Sequence, residues 1–153
     1  MDVFDAETRS RVMAAVKGRD TGPELRLRRA LHALGFRWRL GGRGLPGRPD
    51  LVLPKRGAAV FVHGCFWHRH PGCAKATTPA TRAEFWQAKF ARNVARDAAA
   101  EAALAELGWR VAVVWECALE RRAAAATAEA LGAWLRASEG MRCELPAPRR
   151  EAA

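Results

Sequence analysis

The chain has 153 residues, half of them apolar, and carries a formal net charge of +10. That length fits one domain, read as residues 1–153, and the apolar fraction excludes a disordered chain. The excess of 26 Lys and Arg over 16 Asp and Glu favours a polyanionic partner, nucleic acid ahead of an anionic membrane surface. With no 18-residue apolar run and no apolar leader at the N-terminus, the expectation is a cytoplasmic protein that spans no membrane. In that compartment four Cys read as metal ligands more readily than as a disulfide framework.

Residues Asp5 to Lys17 read as a helix, with Val12, Met13 and Val16 forming an apolar stripe beside Arg9, Arg11 and Lys17. A capping box, Thr21-Gly-Pro-Glu24, opens a second helix that carries Leu27, Leu31 and Leu34 on one face and stops at Gly35. Phe36-Arg-Trp-Arg-Leu40 alternates with period two and predicts a half-buried strand. After a loop over 41–49, Leu51-Val-Leu53 predicts a short strand, and Pro54-Lys-Arg-Gly57 a turn into a third strand at Ala58–His63. The stretch 64–79 reads as irregular. Thr81 and Glu84 predict a further capping box for a long helix ending near Leu107, ahead of an apolar strand at Trp109–Trp115. A closing helix spans about 119–137, and 138–153 reads as a loose tail in which Cys143 has no role. The order α-α-β-β-β-α-β-α implies an α/β fold, a mixed sheet flanked by helices.

Three constellations carry chemistry. Cys65, His70 and Cys73 fall within nine residues, and Cys117 follows the last strand. Cys3His is one of zinc's common tetrahedral sets, and a structural Zn2+ would hold a loop that has little apolar surface of its own. The alternative is that Cys65 and Cys117 are small buried hydrophobes and His70 an ordinary loop residue. Second, Asp50 stands at a strand entry, and the next strand leads into His63 and then His68. A hard cation such as Mg2+ binds one or two carboxylates, and a neutral His can take a proton from water. A lone Asp after Pro is also a common turn residue. Third, Phe66 and Trp67 sit in a polar loop, where they either pack on the core or wedge between bases. Trp86, Lys89 and Asn93 share one helix face, and Lys and Asn are donors suited to base edges.

Together these segments resemble the very short patch repair endonucleases, which act on T·G mismatches left when 5-methylcytosine deaminates. The resemblance rests on Thr8-Arg-Ser10, Arg19-Asp-Thr21 with Glu24, Leu45-Pro-Gly-Arg-Pro-Asp50, Phe61-Val-His-Gly-Cys-Phe-Trp-His68, Pro79-Ala-Thr-Arg82 with Glu84-Phe-Trp86, Asn93 with Arg96-Asp97, and Leu107-Gly-Trp-Arg110 with Val114-Trp-Glu-Cys117. It implies a restriction-endonuclease-like fold. It implies Asp50 and the backbone carbonyl of Val62 as Mg2+ ligands and His68 as the general base. Glu24, His63 and Asp97 become supporting polar residues, and Cys65, His70, Cys73 and Cys117 the zinc site. Phe66, Trp67 and Trp86 would enter the base stack from the major groove. Met13 and Val16 would press on the minor groove from a DNA-contacting helix within 1–18. Lys89 and Asn93 would read the mismatched pair. The sheet strand after Asp50 carries Phe61-Val-His63 in place of the Glu-x-Lys usual in restriction enzymes, which favours the repair branch. The implied activity is a nick 5′ of the mismatched T, by a monomer associated with a bacterial nucleoid, with a mismatch-repair protein as a further partner. A restriction-like double-strand endonuclease and a non-catalytic zinc-bearing DNA-binding module are the alternatives.

Overall fold

In the computed structural model, which describes residues 20–42, 44–137 and 139–148, five strands form one mixed sheet. They are β1 (Arg39–Leu40), β2 (Leu51–Leu53), β3 (Ala58–His63), β4 (Arg110–Trp115) and β5 (Arg142–Leu145), adjacent in that order. The first three are antiparallel neighbours, and β4 pairs parallel with both β3 and β5. Parallel neighbours need long crossovers. Here the crossovers are helices: α2 (Ala83–Glu106) joins β3 to β4, and α3 (Ala124–Arg136) joins β4 to β5, while α1 (Gly22–Ala33) precedes the sheet. The helix expected over 5–17, with Met13 and Val16, lies outside the described residues.

Side chains alternate between the two faces of a strand. On one face Ala58 and Val60 of β3 and Ala112 and Val114 of β4 pack with Leu27 and Leu31 of α1 and Leu131 and Leu135 of α3. On the other, Ala59, Phe61 and Val111 meet Leu104 of α2. β3 and β4 are thus covered on both sides, which explains why they read as continuous apolar runs rather than alternating ones. Each fully buried Leu contributes roughly 1.5–3 kcal/mol, so the α1–α3 face carries much of the stability. No helix among the described residues is long and apolar enough to cross a membrane.

The α1 capping box forms: Thr21 Oγ1 accepts from Glu24 N at 3.4 Å, while Glu24 Oε2 reaches back one residue further than expected, to Asp20 N at 3.0 Å. Four expectations change. The strand expected over 36–40 shrinks to Arg39–Leu40, because Phe36 turns into the core under the guanidinium groups of Arg56 and Arg136. The box at Thr81 does not form; Arg82 occupies the cap in a left-handed conformation (φ 57°), with its guanidinium 4.7 Å from the Phe85 ring. The closing helix starts at Ala124, after a 3-10 turn over Glu116–Leu119. The tail is not loose throughout, since β5 adds to the edge of the sheet and Cys143 packs against the core beside it.

Candidate active site and metal centre

Asp50 enters β2 behind the buried Pro49. Gly47 makes this approach possible. Its φ is +74°, and an added Cβ would lie 2.6 Å from the Ala100 Cβ and 3.1 Å from the Phe61 ring. The loop therefore presses directly on α2, and Asp50 Oδ2 accepts the backbone N–H of Val62 at 2.7 Å. Burial pushes the Asp50 carboxyl up from its usual range to about 6; the Val62 bond opposes this, the Glu24 carboxylate adds to it, and His68 and Arg28 oppose it. Glu24 is itself buried and held by Arg28 at 3.0 Å, whose other nitrogen reaches Asp20 at 2.7 Å. A carboxylate with this much proton affinity is one whose negative charge lacks sufficient compensation, so the pocket suits a bound cation.

The end of β3 delivers His63, and the turn beyond it delivers His68. Asp97, on the facing side of α2, holds His68 Nδ1 through Oδ2 at 2.6 Å. The two imidazoles stack, with centroids 3.9 Å apart and planes 4° from parallel. Burial, together with the neighbouring His68, lowers the His63 pKa to about 3, so that ring stays neutral. Glu24, Asp50, His63, His68 and Asp97 all line one cavity of about 620 Å³, with Val62 between them. The five side chains singled out for catalysis thus come together, although their elements are widely spaced in sequence.

Beside this cavity Cys65, His70, Cys73 and Cys117 converge, each offering a ligand atom within 4.8 Å of the others. His70 Nδ1 lies 3.6 Å from Cys65 Sγ and 3.5 Å from Cys117 Sγ. A tetrahedron built on Zn–S and Zn–N bonds of usual length has S···N edges of about 3.6 Å, so the donor set and its spacing fit a zinc ion. Burial pushes the Cys65 thiol up to about 12, with the other sulfurs adding to the effect. A coordinated cation would reverse that balance and favour the thiolate. Trp115 connects the two sites: its ring stacks on His70 at 4.3 Å and meets His63 edge-on at 5.4 Å. Glu116 follows it, lines the cavity, and accepts the Cys65 N–H at 3.0 Å.

The aromatic group is a packed cluster. Phe66 meets Trp67 at 5.0 Å and Phe90 at 5.2 Å, and Trp67 meets Trp86 at 6.1 Å. Trp86 is only 6% exposed, whereas Phe66 and Trp67 are half-buried at the cavity rim. Lys89 Nζ stands 5.3 Å and 5.6 Å from the two indoles, and Asn93 Nδ2 donates to the Trp67 carbonyl at 3.2 Å. The reading from sequence missed Arg69. In a left-handed conformation (φ 57°), it binds the carbonyls of Phe66, Ala76 and Thr77 and the Thr78 hydroxyl, and stacks 4.0 Å over Phe90. Its position between two histidines was the available signal.

The family model described as DNA mismatch endonuclease Vsr matches residues 1–75. The chain is 48% identical over 118 residues to the type II nicking enzyme V.XorIIP of Xanthomonas oryzae pv. oryzae, covering 77% of this chain and 86% of that one. It is 49% identical over 121 residues to the DNA mismatch endonuclease Vsr of Escherichia coli, covering 79% and 77% respectively. It is 40% identical over 122 residues to the type II nicking enzyme V.NmeAIP of Neisseria meningitidis, covering 80% and 86%. At 48–49% identity over more than three quarters of each relative, the chain belongs to the DNA mismatch endonuclease Vsr family.

Proposed function

We propose that the protein is a DNA endonuclease that nicks one strand 5′ of the T in a T·G mismatch, acting in very short patch repair of deaminated 5-methylcytosine. The observation that carries this reading is the His68–Asp97 pair at 2.6 Å in the same cavity as Asp50. A carboxylate on Nδ1 fixes the tautomer in which Nδ1 holds the proton, and leaves Nε2 as the acceptor. In hydrolysis, water attacks phosphorus, its proton passes to His68 Nε2, and the P–O bond to the leaving sugar oxygen breaks as that oxygen takes a proton from solvent water and leaves as a hydroxyl. The imidazolium that results is stabilised by Asp97, while His63, kept neutral by burial, stacks on it without competing for the proton.

Asp50 and the backbone carbonyl of Val62 would hold Mg2+. The N–H and C=O of a residue in an extended strand face the same edge, and the Val62 N–H already faces Asp50. When bound, the ion would polarise the phosphodiester and neutralise charge developing at phosphorus. Cys65, His70, Cys73 and Cys117 would hold a structural Zn2+. Phe66 and Trp67, backed by Trp86, would wedge beside the mismatch, which stacks less well than a matched pair; Lys89 and Asn93 would read the pair. Glu24, held by Arg28, would be a supporting carboxylate beside Asp50, whose charge raises the proton affinity of Asp50. The mixed sheet with Asp50 at a strand entry is what a restriction-endonuclease-like domain would present; the same reading takes the protein as a monomer in the cytoplasm of a bacterial cell.

A nicking gel tests the reading. T·G and T·A duplexes are incubated with and without Mg2+. The expected result is a single-strand nick in the T·G duplex only, and only with the ion. Double-strand cutting of the matched duplex would replace this reading with a restriction-like one, and salt-sensitive binding without cleavage would replace it with a DNA-binding module.

A further inference from the structure

We infer that Arg48 and Arg96 form a two-guanidinium clamp for DNA backbone phosphates next to the scissile bond. The inference rests on the proposed endonuclease reading and adds to it the residues that seat the strand. Most arginines near the sites are already engaged. Arg28 pairs with Glu24 and Asp20, Arg69 binds loop carbonyls, and Arg142 pairs with Glu101 and Glu144. Among the described residues Arg48 and Arg96 have neither an ion pair nor a side-chain hydrogen bond, and both are exposed. Both also line the cavity that holds Asp50 and His68. Other exposed arginines without such partners, Arg92 and Arg122 among them, do not line it.

The fold brings the pair together deliberately. Gly47, lacking a Cβ, lets its loop touch α2 at Ala100, and a second groove of about 520 Å³ is lined by Arg48 and Arg96 with Gly47 and Ala100. A third, of about 940 Å³, runs from Arg48 past Asp50 and Glu24 to Arg28. Arg48 therefore stands where all three depressions meet. It does so with φ +48°, a left-handed conformation that costs a non-glycine residue stability and persists where surrounding structure holds it. A planar guanidinium presents paired donors matched to phosphate oxygens. Two such groups at the mouth of a site containing Asp50, Glu24 and Asp97 would offset the repulsion between those carboxylates and the strand.

Phosphate contacts add affinity and salt dependence without sequence information. The test measures binding of T·G and T·A duplexes across a salt series without Mg2+, and nicking with it, for wild type, Arg48→Gly, Arg96→Ala and Arg122→Ala. Glycine keeps the left-handed turn at position 48 and removes only the side chain. Each clamp variant should lower the slope of log Kobs against log salt by about 0.9, weaken both duplexes to the same degree, and reduce nicking at low DNA concentration. Arg48→Lys should recover the slope more than the nicking rate. Arg122→Ala should match wild type. Unchanged slopes in both Arg48→Gly and Arg96→Ala overturn the clamp even when wild type nicks normally, and so does an equal loss in Arg122→Ala. A wild type that binds but never nicks refutes the endonuclease reading, and the slopes still decide the clamp.

Discussion

His63 and His68 lie face to face, 3.9 Å between centroids, yet among the described residues only His68 of the two has a carboxylate partner, Asp97 at 2.6 Å. In the proposed mechanism this asymmetry makes His68 the proton acceptor. A neutral, buried ring on one side and an acidic anchor on the other let His68 gain and lose charge while its plane stays fixed. Asp97→Asn can keep a hydrogen bond but no longer enforces the tautomer or stabilises the imidazolium. We expect it to slow nicking by about 10²-fold, and His68→Ala by about 10²- to 10⁴-fold, the usual range for a general base, with DNA affinity retained in both. Single-turnover rates alongside binding constants separate chemistry from binding. Normal single-turnover rates in His68→Ala would remove it from the mechanism.

Asp50 sits in tension with its surroundings, and the sign of its effect on stability follows. Its folded pKa of about 6 lies above the ordinary 3.8, so the folded chain binds the proton more tightly than the unfolded one. Ionised Asp50 therefore costs stability above about pH 6, and that cost fades as pH falls toward about 4. In zinc-loaded protein without added magnesium, Asp50→Asn should be more stable than wild type near neutral pH by up to about 3 kcal/mol. The asparagine can still accept the Val62 N–H. Adding Mg2+ should stabilise wild type and leave the variant unchanged, because a ligand that binds only the folded state shifts the equilibrium by mass action. Urea melts with and without the ion check both halves. A variant less stable than wild type under both conditions would mean that Asp50 is a structural anchor rather than a cation ligand.

The proposed zinc site makes a prediction of composition. Purified protein should carry one zinc per chain, and Cys73→Ala should lose it, because three donors hold the ion far less tightly than four. Structural zinc contributes on the order of 10 kcal/mol, against a total stability of about 5–15 kcal/mol for a typical domain, so the variant should lose nicking and melt much earlier. Cys143 provides the comparison. It is part-buried against the α3 face and lies outside the cluster, so Cys143→Ala should keep its zinc. Zinc retained in Cys73→Ala, or lost in Cys143→Ala, contradicts the ligand set.

How legible each part was in the sequence depended on how local its cause is. β3 and β4 read clearly because both faces are covered and the apolar run is continuous. β5 did not: Arg142-Cys-Glu-Leu145 has two charged residues, and its ladder is made with a distant strand at the edge of the sheet. The Thr21 box could be read, but the one at Thr81 was overridden, because the Arg82–Phe85 contact sets a different entry to α2. The cluster Cys65, His70, Cys73 and Cys117 stood out by residue type and spacing. Asp97 came only from family resemblance, since nothing in a 24-residue helix marks one carboxylate as the partner of a histidine on another element. Arg48 and Arg69 were hidden among 26 basic residues. Only the fold distinguishes an unpaired guanidinium at a cavity mouth from one stapling a loop.

The aromatic cluster divides into a support and a contact edge, and the two should fail differently. Trp86 is 6% exposed and packs with Phe66, Trp67 and Phe90, so Trp86→Ala should cost about 3–5 kcal/mol of stability, the range for deleting a buried large aromatic. Its loss of activity should be partly recovered by Trp86→Phe, which refills much of the space. Trp67 is half-buried at the cavity rim under Lys89. Trp67→Ala should melt closer to wild type and instead lose the preference for T·G over T·A, because stacking on an aromatic is worth about 1–3 kcal/mol per base. Melting curves set beside nicking ratios on the two duplexes make the comparison. If both substitutions destabilise equally and leave the ratio intact, the cluster is core packing alone, and mismatch selection must reside in Lys89, Asn93 or elsewhere.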